Sequence, residues 1–134
     1  MRYKVQLALG TNLGDKEKNL LHAKQFLKQK IGRIIEETPY KETKPWGYDS
    51  KNDYLNMIVI VETTLSPIKL LYELKNIEKQ MGRNNNITEN LYQDRIIDID
   101  ILFYEDLIFT SKTLKIPHSK IAERNFFNFF WYKS

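Results

Sequence analysis

The sequence predicts an α+β fold: a ferredoxin-like βαββαβ unit, in which helices pack on an antiparallel sheet, with an additional C-terminal hairpin. Three observations lead there. Stretches with strand-like and helix-like hydrophobic periods follow one another as strand, helix, strand, strand, helix, strand. Helix and strand punctuation falls between them, at Gly10, Gly32, Ser66-Pro67 and Gly82. The last strand of the unit alternates isoleucine with aspartate, which gives it one apolar and one acidic face.

Each element follows from its own residues. "YKVQLALG", Tyr3 to Gly10, is a β-rich run ending at a glycine. "TNLGD" is a turn, and Asp15 is placed to cap the helix that follows. Leu20, Ala23, Leu27 and Ile31 recur at helical spacing, and Gly32 ends the run. "RIIEETPYKET" is expected to form one second strand. "KPWGYDSKND" is a loop punctuated by Pro45 and Gly47. "YLNMIVIVET" is a strongly β-branched third strand. Ser66 then Pro67 is a cap followed by a first-turn proline, and Leu70, Leu71, Leu74, Ile77, Glu78 and Met81 carry the helical period to Gly82. The polar segment "RNNNITENLYQD" has no period, and its length suits a lid or binding loop. Asp98 and Asp100 lie on the strand after it. "YEDL" turns that strand into a short one expected over Leu107 to Phe109, and "LKIPHSKIAERNFFNFFWYKS" closes the chain.

The totals narrow the function classes. A chain of 134 residues is expected to form one domain spanning 1–134, large enough for a real core. With no cysteine there is no disulfide, thiolate metal site or cysteine nucleophile. No apolar run nears the roughly 20 residues of a membrane span, and the amino terminus lacks a signal peptide's pattern, so a cytoplasmic protein without membrane contacts is expected. The net charge of +4 comes from sixteen lysines against five arginines. Spread lysine of this kind is a solvated surface, not a nucleic-acid footprint. No phosphate-binding P-loop is present, because "GTNLGD" lacks the lysine-serine/threonine ending.

The acidic pair raises the chemical question. Residues two apart on a strand share a face about 6–7 Å apart. At an effective dielectric of about 20, two carboxylates at that distance repel by roughly 2–2.5 kcal/mol. Solvent screens this on an edge strand, protonation removes it, or a cation reverses its sign. Mg²⁺ is commonly held by one or two carboxylates together with substrate phosphates. Arg83, Arg95, His118 and Arg124 stand beside the same motifs and suit phosphate oxygens. Tyr54 and Asn56 also share a strand face and offer a stacking ring beside a hydrogen-bonding amide, which a flat, heteroatom-rich ring would need.

Taken in order, these motifs resemble the 6-hydroxymethyl-7,8-dihydropterin pyrophosphokinases of folate biosynthesis. "LALGTNLGD" resembles the family's opening strand and turn, with Thr11 for the usual serine. "PYKETKPWG" resembles the loop over the pterin and "DYLNMIVIVET" the pterin-contacting strand. "IEKQMGR" resembles the helix end with its glutamate and arginine. "DRIIDIDILFY" and "IPHSKIAERNF" resemble the hallmark arginine-then-Asp-x-Asp strand and the proline-histidine, arginine-x-phenylalanine ending.

The resemblance implies that the pterin's hydroxymethyl oxygen attacks the β-phosphorus of ATP, so that pyrophosphate moves to the pterin and AMP leaves. It implies Asp98 and Asp100 as ligands of two Mg²⁺ ions, and Arg83 and Arg95 as phosphate contacts. Thr43, Pro45, Trp46, Tyr54, Asn56 and Phe126 would bind the pterin, with Tyr54 and Phe126 sandwiching its ring. Lys75, Glu78, Arg95, Ile101, His118, Ser119 and Arg124 would lie on the ATP side. The partners expected are these two substrates, with no nucleic acid, and the protein is expected to be a monomer whose aromatic ending buries against the core. Some positions depart from the family pattern. Asn85 and Tyr92 stand where an arginine and a tryptophan are usual, Lys75 replaces a common glutamine, and Ser119 a common tyrosine. Fewer lid charges imply slower turnover, and a weakened or inactive pterin-binding relative is the alternative. A ferredoxin-like RNA-binding module is a further rival, but the aromatic signature on its stacking strand is missing and an aspartate pair would repel phosphate.

Overall fold

The computed structural model describes residues 1–43, 53–82 and 96–118. Nine elements lie along them: β1 (Tyr3–Thr11), α1 (Lys16–Lys30), β2 (Gly32–Glu37), β3 (Lys41–Thr43), β4 (Tyr54–Thr63), α2 (Pro67–Gln80), β5 (Asp98–Tyr104), β6 (Phe109–Thr110) and β7 (Lys115–Ile116). The main sheet runs β2-β4-β1-β5, with every pairing antiparallel, and β3 joins β4 beyond the end of β2. β6 and β7 make the additional hairpin. This is the α+β architecture expected, with the first strand of the hairpin shifted from Leu107–Phe109 to Phe109–Thr110.

Both helices start as their sequences dictate. The Asp15 carboxylate accepts from Lys18 N–H at 3.1 Å, and the Ser66 hydroxyl from Lys69 N–H at 3.4 Å, ahead of Pro67. Leu20, Ala23 and Leu27 of α1 and Leu70, Leu74 and Ile77 of α2 meet Val5, Leu7 and Leu9 of β1, Met57, Val59 and Val61 of β4, and Ile99 and Ile101 of β5 in one core. The isoleucines alternating with the aspartates thus face the helices, as the pattern predicted.

Two expectations need correction. The second strand is not continuous. Pro39 has no N–H to give the ladder, and the chain leaves strand geometry between β2 and β3. The Thr38 hydroxyl takes over, accepting from Ile58 N–H at 2.9 Å while Thr38 N–H donates to Ile58 C=O at 2.9 Å. Gly32 does not end α1 by a left-handed turn either. Ile31 caps the helix in the right-handed region, and Gly32 opens β2 so close to β4 that a Cβ there would stand 1.8 Å from the Glu62 carbonyl oxygen.

The opposite face of the sheet carries Gln6, Ala8 and Gly10 of β1, Asn56, Ile58 and Ile60 of β4, and Asp98 and Asp100 of β5. Both amide atoms of Gln6 are buried there with no hydrogen-bond partner among the described residues.

Candidate active site

The site is a row across that face. Gly10 lies opposite Asn56 on one side and Asp98 on the other, and Ala8 lies between Ile58 and Asp100 in the next row. Directly opposed residues of antiparallel strands project to the same side. The amide pair of β4 and the carboxylate pair of β5 therefore open onto one surface, separated by the width of β1. Asp98 and Asp100 are both half-buried and face the same way. His118 joins them: its N–H donates to Leu102 C=O at 3.1 Å, and its Nε2 lies 3.8 Å from Asp100 Oδ1.

Asn56 is held in one orientation. Its Nδ2 donates to Lys41 C=O at 2.9 Å and to the Thr43 hydroxyl at 2.8 Å. A carbonyl only accepts, so the NH₂ must face Lys41, and Oδ1 is turned toward Gly10. The buried Asn56 thus presents an acceptor toward a ligand on this face. Tyr54 places its ring next to it: Cδ1 would lie 3.4 Å from a Cβ on residue 10.

On the other edge of β5, Glu78 reaches across from α2. It is 1% exposed, and its Oε2 accepts the N–H of Ile99 at 2.7 Å, between the two aspartates. Lys75 Nζ lies 3.8 Å from its other oxygen. The outward turn of Ile99 fixes the ladder. By register Ile101 turns its backbone outward too, while its side chain is buried in the core. Any ligand contact of Ile101 is therefore through its main chain.

Thr43, Tyr54, Asn56, Lys75, Glu78, Asp98, Asp100, Ile101 and His118 are thereby located. Pro45, Trp46, Arg83, Asn85, Tyr92, Arg95, Ser119, Arg124 and Phe126 lie outside the described residues, as does the aromatic ending. The sequence marks Gly10 as a strand end, yet a glycine within a buried strand also signals close approach of a ligand or another chain segment.

Among the described residues no group of three His, Cys, Asp or Glu side chains gathers to hold a metal. Two carboxylates on one face fit an ion that shares its coordination with a phosphate chain. A structural metal would demand a fuller protein cage. Among the described residues no helix is long and apolar enough to cross a membrane.

Comparisons with known proteins bear on the chain as a whole. The sequence model of the 7,8-dihydro-6-hydroxymethylpterin-pyrophosphokinase family matches residues 6–133. A 2-amino-4-hydroxy-6-hydroxymethyldihydropteridine pyrophosphokinase of Porphyromonas gingivalis is 36% identical over 91% of this chain and 84% of its own. One of Aquifex aeolicus is 37% identical over 92% of this chain and 74% of its own. Folic acid synthesis protein fol1 of Schizosaccharomyces pombe is 38% identical over 90% of this chain, a match that takes up 16% of the fungal protein. In fold, a crystal structure of Plasmodium falciparum HPPK-DHPS superposes with a TM-score of 0.71 at 18% identity, over 95% of this chain and 36% of that one.

Proposed function

The chain belongs to the 7,8-dihydro-6-hydroxymethylpterin-pyrophosphokinase family, and from that premise we propose how its side chains divide the work. The protein is an ATP-dependent pyrophosphokinase of folate synthesis: pyrophosphate passes from ATP to 6-hydroxymethyl-7,8-dihydropterin, leaving AMP and the pterin diphosphate.

Tyr54 and Phe126 hold the pterin ring between them, and Asn56 Oδ1 accepts from an N–H on its edge. Thr43, Pro45 and Trp46 line the loop side. The fixed amide of Asn56 supports this, because an orientation locked by Lys41 and Thr43 selects a donor on the ligand. Asp98 and Asp100 hold Mg²⁺, two ions in this reading. Bound there, magnesium supplies charge neutralisation and a template for the triphosphate. Arg83 and Arg95 contact phosphate oxygens. His118, Ser119, Arg124, Lys75 and the main chain of Ile101 lie toward the nucleotide, and Glu78 serves that side through Ile99. The hydroxymethyl oxygen is aligned by the ring's seat, so much of the rate comes from positioning and electrostatics. The working form is a monomer in the cytoplasm.

The observation that carries the assignment of roles is the single row of Asn56, Gly10 and Asp98, which sets ring reader and carboxylates on one face. The deciding assay is AMP release from ATP, Mg²⁺ and 6-hydroxymethyl-7,8-dihydropterin. Asp98→Ala and Asp100→Ala should each lower turnover by at least about 10³-fold, roughly 4 kcal/mol of transition-state stabilisation. A variant within tenfold of the parent would remove the metal role from that residue.

A further inference from the structure

Gly10 is the penultimate residue of β1 and is paired on both sides, with Asn56 and with Asp98, a position where glycine is an unfavourable choice. Its backbone does not require one: among the described residues the glycines with positive φ are Gly14 and Gly82. The reason must lie in space above it. Ile58 turns its N–H toward the Thr38 hydroxyl, away from β1, and by alternation Asn56 turns the same way. Gly10 and Asn56 are therefore a non-hydrogen-bonded pair, the kind in which opposed side chains come closest, with Cα atoms about 4.5 Å apart. Ile99 turns its N–H to Glu78, so Asp98 faces β1 and forms a hydrogen-bonded pair with Gly10, at about 5.5 Å. A Cβ on residue 10 would press on Asn56 Oδ1 at 3.1 Å and on the Tyr54 ring at 3.4 and 3.8 Å.

We propose that Gly10 is a positioning residue: it keeps a bare strip of backbone between the ring-reading pair, Tyr54 and Asn56, and the carboxylate pair. The pterin's hydroxymethyl arm crosses that strip to bring its oxygen to the phosphate chain whose Mg²⁺ Asp98 and Asp100 would hold. This rests on the division of roles given above and adds to it the path between the two halves. By the spacings just given, Asn56 and Asp98 stand about 10 Å apart at their Cα atoms, and the residue between them in the row, Gly10, carries no side chain. One methyl group at residue 10 lifts the ring from its seat and shifts the arm. A misplacement of about 1 Å at a reacting group can cost on the order of 100-fold. The nucleotide, held on the β5 side, does not feel it.

Gly10→Ala tests this directly, since alanine suits a strand backbone at least as well as glycine. The expected result is a KM for the pterin raised about tenfold or more and kcat lowered by a similar factor, with the KM for ATP within about twofold and no fall in melting temperature. Pterin binding is measured in parallel with Mg²⁺ and α,β-methylene ATP, whose bridging carbon blocks the transfer. Pterin KM and kcat both within twofold of the parent overturn the proposal. So does loss of nucleotide binding or of folding, because the glycine would then serve the sheet alone. If the parent binds both ligands yet releases no AMP, the functional reading fails, and Gly10 is still judged by the ratio of pterin affinities. A parent that binds no pterin overturns both.

Discussion

Glu78 shows how much one buried side chain can decide. A carboxylate that is 1% exposed is tolerable only with strong partners, and it has the Ile99 N–H at 2.7 Å with the Lys75 ammonium 3.8 Å away. Among the described residues β5 is an edge strand and the outward N–H of Ile99 has no ladder partner, so Glu78 supplies the acceptor. It thereby fixes the backbone between Asp98 and Asp100. Glu78→Ala leaves that N–H unmatched beside a small cavity and should destabilise the protein by about 2–3 kcal/mol, seen as a lower urea midpoint with an unchanged m-value. Glu78→Gln keeps an oxygen to accept the bond and should cost less than half as much. Equal losses in the two variants would mean that the acceptor is not what matters. The sequence placed Glu78 in the apolar stripe of α2, one residue after Ile77, where an ionised group must have a reason. It could not say that the partner is the strand backbone, since that partner is 21 residues away.

At the scale of elements, the sequence was informative wherever local chemistry decides and uninformative wherever a neighbouring strand does. Both N-caps, the helical stripes and the alternation of isoleucine and aspartate were legible because each depends on residues within one or two turns. The break at Pro39 was visible in the missing N–H, yet its repair by Thr38 depends on Ile58. The bulge in β5 left no sequence mark. Its register against β1 slips between Gln6 and Leu7, so Tyr104 turns to the core in place of Phe103, and its hydroxyl donates to Leu65 C=O at 2.5 Å. Gly32 is the sharpest case, because a helix-stop reading and a close-approach reading fit the same letter. They predict different costs. As a stop without positive φ, Gly32→Ala would be nearly neutral. With a Cβ 1.8 Å from the Glu62 carbonyl, β2 must move away from β4, and a loss of about 3 kcal/mol or more is expected. Equilibrium unfolding of the variant distinguishes the two.

For the whole molecule, the sheet separates stability from chemistry. One face binds the helices through the core, and the other carries Asn56, Gly10, Asp98 and Asp100. The half-buried carboxylates stand outside the hydrophobic cluster, so the fold does not depend on a metal between them. Chelation by EDTA should therefore abolish AMP release while leaving the melting temperature of the ligand-free protein unchanged. Adding Mg²⁺ with α,β-methylene ATP should stabilise the protein by about 2.7 kcal/mol at a ligand concentration 100 times Kd, by mass action on the folded state. The stabilisation should need both components if, as proposed, the ion is shared between the two carboxylates and the phosphate oxygens. In Asp98→Ala the magnesium-dependent part should vanish, whereas in Gly10→Ala it should persist in full. A melting temperature that falls on chelation alone would make the ion part of the fold, and a nucleotide that stabilises equally well without Mg²⁺ would place the phosphate chain on the arginines instead of the aspartates.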